Sequence, residues 1–569
     1  MPTTAERQSH ALSVAWWAAV GVTLAVLPFE SRIHLTEIGG VAVTPLHLAL
    51  LAVIALWIAL LLVERRLPAL PASVAVALSI GLAGLVISAV LADGFNEESL
   101  RFVALTAGGG LLFIALVDMV RTERSATWTS AVLVAACAGS AVLGAVLLAL
   151  PVDVTVNLLG QDHSVAGARR LQATFGYPNT AAVAFEAATF LAVGLLGVFR
   201  ERMARLLIGL AVTLLVLATA LTLSRGAVLG LASGTGTLIV VAWLSGHRRL
   251  AAATTAGGAA VLLTLVVVQL AALPIERLWT DSESDFYGAT YEAPMKVVAR
   301  ISEPAQVAVT VTNTGDATWR SGDYQLGYHW LNIGNEIVAF GQIGVELGDV
   351  PRGGRAPATV TVPPIDNRMA TAIAWDVYQV GGEWFSERGV PVAVSQYLTR
   401  IPTGPGPPPT AHAPTLLLYP ALLPEPSRAE LWGAAVAMIR EAPLLGVGPG
   451  TFRLRYGAYL GWPEWDERLH ANNTYLEIGA TTGLVGVAVF LFVTLYAMWR
   501  QLRHLLARPP LPAWLLSVGL LSSAVAFAAH GVVDYFLGFS GTLAMYWAIL
   551  GIGLGLALRE RSMPTSHDR

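Results

Sequence analysis

A polytopic α-helical membrane protein carrying an inserted all-β sandwich is the fold class that this sequence predicts, on three observations. Of 569 residues, 55% are hydrophobic and 13% charged, with a mean hydropathy of +0.62. That lies outside the range of soluble globular chains. Twelve apolar runs, at roughly 11–29, 41–63, 69–92, 102–120, 129–150, 179–199, 204–223, 226–244, 250–273, 472–499, 512–532 and 538–558, are each long enough for a span. A hydrocarbon core is about 30 Å thick and takes about 20 residues of helix. Between the ninth and tenth runs, residues 285–398 change to β-branched stretches separated by turn residues.

The first run leads to no small-residue cleavage site and reads as a span, not as a secretory signal. Orientation follows from arginine placement. Arg65 with Arg66, Arg121 with Arg124, Arg200 with Arg202 and Arg205, Arg248 with Arg249, Arg500 with Arg503, and Arg559 with Arg561 fall on alternate connections. By the positive-inside rule these face the cytoplasm, as do both termini, and segments 151–178 and 274–471 face outward. The single cysteine, Cys137, excludes an intramolecular disulfide framework and a cysteine metal cluster. A net charge of −3 and a pI near 6.4 argue against a nucleic-acid partner.

The chain divides accordingly into an N-terminal membrane part (1–273), a connector (274–284), the β insert (285–398), a linker (399–426), an outer segment (427–471), three C-terminal spans (472–558) and a tail (559–569). In the insert, the run Val307–Thr312 ends in the turn signal Asn313-Thr314-Gly315-Asp316, and runs 325–330, 357–362 and 371–378 have strand length. Trp319, Trp330, Trp375 and Trp384 are expected as its aromatic core, in preference to a sugar-stacking platform. The tryptophan spacing resembles Ig-like domains appended to extracellular and enzyme chains. The proline-rich stretch 401–414 excludes a helix or a central strand. Residues 427–439 have amphipathic helical spacing, with Ser427 and Glu430 forming a capping box, and read as a helix on the outer membrane surface.

Four polar groupings interrupt the apolar background. Arg225 is the only charged residue between Leu206 and Leu244, where a guanidinium is costly unless it pairs or binds an anion. Arg169 and Arg170 precede Pro178-Asn179, which open a helix whose N-terminal amides favour an anion. Glu186, on the same helix face as Asn179, is expected to meet a cavity or an arginine. The glycine turn 443–452, with Gly446, Gly448 and Gly450, permits close backbone approach but is no Walker loop. Lastly, His470, Asn472, Asn473 and Glu477 gather at the mouth of the tenth span, where a histidine suits general-base work.

The segments LTLSRGAVLGLA (221–232), RRLQATFGYPNTAA (169–182), REAPLLGVGPGTF (440–452) and HANNTYLEIGATTGLVG (470–486) resemble, in kind and placement, the motifs of the O-antigen ligase/O-antigen polymerase superfamily. The resemblance covers about 15–275 and 427–558 and leaves out the β insert. It implies a C-type glycosyltransferase-like fold and a donor glycan carried on undecaprenyl diphosphate. It also implies that outward arginines, here Arg170 and Arg225, bind the diphosphate. The family places a histidine where this chain has Asn472, while His470 occupies the other half of an HxHN version of the motif.

The resulting expectation is a metal-independent, inverting glycosyltransferase of ligase or polymerase type in a bacterial inner membrane, with no cofactor. His470 and Glu477 are the catalytic candidates; Arg169, Arg170, Asn179, Arg225, Asn472 and Asn473 are the substrate-binding candidates. Its partners would be the lipid-linked donor, a glycan, lipid or protein acceptor, and membrane lipid. The alternative is a transporter or flippase of lipid-linked glycans, which would call for paired ionisable groups near the midplane and pseudo-repeated halves.

Overall fold

The structure is a computed structural model. It describes residues 4–29, 35–38, 41–151, 155, 163–165, 168–273, 286–300, 303–333, 337–364, 370–380, 384–400, 415–417 and 426–558. The connector 274–284, nearly all of the proline-rich linker, and the tail with Arg559 and Arg561 lie outside the described residues.

Among the described residues, twelve helices are long and apolar enough to span a membrane. Nine precede the insert: α1 (Thr4–Val26), α2 (Pro45–Glu64), α3 (Ala72–Val90), α4 (Asn96–Met119), α5 (Glu123–Ala149), α6 (Pro178–Leu196), α7 (Arg202–Leu221), α8 (Arg225–Leu244) and α9 (Arg248–Ala272). After it come two short helices, α10 (Arg428–Glu441) and α11 (Phe452–Leu460), then α12 (Thr474–Leu506), α13 (Leu511–His530) and α14 (Ser540–Leu558). The protein is thus a polytopic helical membrane protein. Its most enclosed spans are α6, α13 and α14, while the others turn apolar side chains such as Leu62, Leu206 and Leu210 outward. Only a hydrocarbon surrounding makes such a surface favourable.

Because successive spans alternate in direction, the connections at 65–71, 120–122, 197–201, 245–247 and 507–510, which hold or adjoin arginines, share one end of the bundle. That end is tied by Asp118, whose carboxylate takes both a 2.8 Å ion pair from Arg66 and hydrogen bonds from Trp57 Nε1 and the Ala69 amide. The opposite end carries the β insert, the short helices and every candidate site residue named above.

At that end α12 is broken. Gly483 has φ 66° and ψ −170°, which interrupts the helical hydrogen bonding inside the span. The freed groups are satisfied by the glycine turn: Val447 N–H donates to Ala480 C=O (3.0 Å), Gly448 N–H to Thr481 C=O (3.1 Å), and Leu484 N–H to Pro443 C=O (2.8 Å). Neither Gly446 nor Gly483 has room for a Cβ, since each faces the other segment's backbone. The close approach that the glycines permit is therefore to the chain's own broken helix. Helix α10 packs Leu431, Ala434, Ala435 and Met438 inward, and Ser427 caps it, accepting from the Glu430 amide while Glu430 Oε2 accepts from Ser427 N–H.

The insert forms two sheets over a common core. One has the order β10-β7-β5 (Arg355–Val362, Ala305–Asn313, Ala289–Glu292). The other runs β13-β12-β11-β8-β9 (Thr415–Leu417, Val392–Arg400, Ala372–Gln379, Tyr324–Leu331, Ile337–Glu346), with β6 (Lys296–Arg300) parallel to β12. Val309 and Val360 of the first sheet meet Tyr328 and Trp375 of the second in one cluster, and all four tryptophans singled out in the sequence are buried. The core assignment of those rings holds over the sugar-stacking one. Val165, Leu223 and Leu273 of the bundle belong to the same cluster, and Arg388 Nη2 donates to Ser164 Oγ at 3.1 Å. The insert is thus packed on the hairpin β3–β4 (Ser164–Val165, Ala168–Arg169) that leads into Arg170.

Candidate active site at the insert-bearing end

Arg170 follows β4 and is nine-tenths buried. Its Nε donates to Thr222 C=O (2.8 Å) and its Nη2 to Asn179 Oδ1 (2.6 Å), and its guanidinium lies 5.7 Å from the Tyr177 ring centre. Asn179, in the first turn of α6 behind Pro178, in turn donates through Nδ2 to Asp534 Oδ2. Asp534 lies in the α13–α14 connection, where Oδ1 also accepts the Tyr535 amide (2.8 Å). Burial pushes the Asp534 carboxyl above its ordinary value; Arg428, the Tyr535 amide, Asn179 and Arg170 each oppose that without cancelling it. Arginine and asparagine from one segment and an aspartate from a distant one thereby form one continuous polar string.

A second string stands beside it. His470 Nδ1 lies 2.6 Å from Glu477 Oε1, and Glu477 Oε2 accepts the Ala471 amide at 2.7 Å. The imidazole packs 4.8 Å from the Tyr535 ring. Since Tyr535 follows Asp534 directly, the two strings share one loop. Thr474 fastens that loop to the start of α12, donating from its amide to Asp534 C=O (3.0 Å) and Gly531 C=O (2.8 Å).

The remaining candidates take different places. Arg225 begins α8, immediately after the Thr222–Ser224 turn that Arg170 holds. Arg169 turns the other way: it donates to Leu148 C=O (3.1 Å), Leu150 C=O (2.7 Å) and Thr155 Oγ1 (3.1 Å), so it closes the C-terminal end of α5. Asn473 caps α12, accepting from the Tyr475 and Leu476 amides at 3.0 Å each and donating to Val532 C=O (2.8 Å). Asn472 sits in the left-handed region (φ 48°), half-exposed just outside the helix. Glu186 meets neither an arginine nor an open cavity. Its partner is His530, with Nδ1 2.9 Å from Glu186 Oε1, inside the bundle.

Sequence reasoning overlooked His530 and Asp534. The signal was available: AAHGVVDY (528–535) puts two ionisable residues at the end of an otherwise apolar run, where polarity is expensive.

Below the second string lies a cavity of about 230 Å³ between α3, α4, α12 and α14. Leu78, Leu82, Leu111, Ile114 and Val489 give it an apolar wall, and Tyr535 closes its end toward His470.

The described residues thus form a membrane bundle with a buried polar site at one end and an apolar chamber beneath it. Residues 425–491 give a match to the model of the O-antigen ligase family. It supports a ligase-like glycosyltransferase of surface polysaccharide biosynthesis, and with it a lipid-linked glycan donor and an acceptor in general terms. The matched segment contains α10, the glycine turn, the His470–Glu477 pair and the break at Gly483. No curated protein matches the chain. Among solved structures, the alkylpurine DNA glycosylase AlkC of Pseudomonas fluorescens, bound to DNA containing an abasic-site analogue, is similar at 11% identity over 58% of this chain and 100% of that one. The TM-score of 0.14 is too low to carry any argument.

Proposed function

We propose that the protein transfers a glycan from a polyprenyl-diphosphate carrier, of the undecaprenyl type, to an acceptor hydroxyl at the insert-bearing face, and that this face looks away from the cytoplasm. The observation that carries the proposal is the continuity of the apolar chamber with Tyr535 and, through it, with His470 and Asp534. The chamber's apolar wall suits part of a prenyl chain, while the diphosphate needs cations at the polar end. Arg170 and Arg225 supply them, and planar guanidinium groups suit phosphoryl oxygens.

In the reaction, the acceptor oxygen attacks the anomeric carbon as the bond from that carbon to the diphosphate oxygen breaks. The hydroxyl proton passes to His470 Nε2, and the polyprenyl diphosphate departs with its charge stabilised by the arginines. One displacement inverts the anomeric configuration. Glu477 orients the ring from the Nδ1 side. Asn472 stands where the family has histidine, so His470 takes the base role in this chain. Asn179 and Asp534 hold Arg170 at its station.

The test is transfer by the purified protein in liposomes supplied with a polyprenyl-diphosphate-linked glycan. Wild type forms new glycosidic bonds, and Arg225→Ala and His470→Ala form them far more slowly. Donor crossing the bilayer without a new bond would instead establish a transporter. Full transfer by Arg225→Ala would end the diphosphate assignment. Impermeant thiol labelling of single cysteines introduced near Asn472, in a Cys137→Ala background, reads the orientation.

A further inference from the structure

We propose that Glu186 and His530 are positioning residues that set the aim of Arg225, an inference that rests on the diphosphate-binding reading of that arginine. The turn Thr222–Ser224 is held by three side chains. Arg170 Nε donates to Thr222 C=O (2.8 Å), Gln269 Nε2 donates to Ser224 C=O (3.2 Å), and His530 Nε2 lies 3.4 Å from Ser224 Oγ. Leu223 between them is in the left-handed region (φ 53°), a conformation that persists only where the surroundings impose it.

Behind the turn, the His530 imidazole is wedged against the first turn of α8. Gly226 has no room for a Cβ because the imidazole fills that space, and one helical turn on, Gly230 has none because the Glu186 carboxylate does. Glu186, His530 and Ser224 are all buried. Arg225 is the first residue of α8. Its side chain leaves the helix from a turn whose Ser224 hydroxyl and Gly226 face both rest on one imidazole.

Packing alone does not account for this pair. Glycines four apart ordinarily admit a neighbouring helix through aliphatic contact. Here they admit a carboxylate and an imidazole, and Glu186 Oε2 is buried with no hydrogen-bond partner. Such an arrangement costs stability. It is explained by what the pair holds in place.

The experiment measures donor KM and kcat for the full-length protein in liposomes, using polyprenyl-diphosphate-linked glycan. His530→Ala, Glu186→Gln and Ser224→Ala are each made in the native and in the Arg225→Ala background. In the native background His530→Ala and Ser224→Ala raise donor KM about 10-fold with kcat within about 2-fold, and Glu186→Gln, which retains a hydrogen-bonding oxygen, raises it less. In the Arg225→Ala background none of the three raises KM further. Equal KM effects in both backgrounds, or no KM effect of Ser224→Ala in the native one, overturn the proposal. Ser224→Ala removes a single hydroxyl and decides the matter where His530→Ala fails to fold. An Arg225→Ala protein with wild-type kinetics overturns the diphosphate reading and this inference together. An impaired Arg225→Ala protein whose defect His530→Ala and Ser224→Ala do not share overturns the inference alone.

Discussion

Glu477 uses both carboxylate oxygens on the segment that precedes its own helix, with Oε1 2.6 Å from His470 Nδ1 and Oε2 accepting the Ala471 amide at 2.7 Å. The Nδ1 proton of a neutral ring is therefore directed to the carboxylate, and Nε2 keeps the lone pair that a base requires. Replacing His470 by alanine is expected to lower kcat by about 10²- to 10⁴-fold, the range for a lost general base. Glu477→Gln should have a smaller effect, about 10-fold or more, because an amide oxygen still accepts from Nδ1. Steady-state transfer kinetics check both.

The paired arginines should separate cleanly. Arg170→Ala removes the donor to Thr222 C=O and to Asn179 and is expected to raise donor KM about 10-fold or more. Arg169→Ala uncaps the end of α5, so it should lower thermal stability and leave donor KM within about 2-fold. Melting curves beside donor titrations distinguish the two.

Asp534 carries a pH signature. Burial holds its carboxyl above the ordinary value, so folding favours the neutral form, and this group's contribution to stability is lost as pH rises through the raised value. Asp534→Asn lacks that loss. It should melt higher than wild type at about pH 8, with the gap closing toward about pH 4, the ordinary carboxylate range. Transfer should nevertheless fall, since Asn179 loses the carboxyl group to which it donates. A variant that gained stability and activity together would refute the placement of Asp534 in the site.

Gly483→Ala puts a side chain into a left-handed backbone position already filled by the Leu444–Leu445 backbone. A loss of about 2–4 kcal/mol is expected, the size of a severe core defect. It should appear as poor yield and a lowered melting temperature, with the surviving protein retaining its donor KM.

Gly110 lines the apolar chamber and has open space where a Cβ would stand. Gly110→Leu should therefore fold normally yet occupy lipid space. Donor KM is expected to rise about 10-fold for a full-length prenyl carrier and to change little for a short-chain one. An equal effect on both carriers would show that the chamber does not house the chain.

The spans were legible because crossing hydrocarbon demands a length and an apolarity that few other structures need. Strands β7, β8, β10 and β11 were legible from β-branched runs bounded by turns. The long edge strand β9 was not, since IVAFGQIGVE mixes glycines and polar residues without alternation. Among site residues, Arg170, Asn179, His470 and Glu477 stood out as polar groups in apolar context. Their partners did not: Asn179 and Asp534 are 355 positions apart, and Glu186 and His530 are 344 apart. No local spacing reveals such pairs. Nor could the dipeptide Arg169-Arg170 say which residue faces inward. That is settled where the chain leaves β4, which sends one guanidinium to α5 and the next to α6.

Because Val165 and Leu223 are packed into the core of the insert, the β domain is rooted in the same two loops that present the arginines. Excising it would unseat both, and transplanting it into a relative would require exchanging those loops as well. Whatever pulls on the sandwich from outside therefore pulls on the floor of the site.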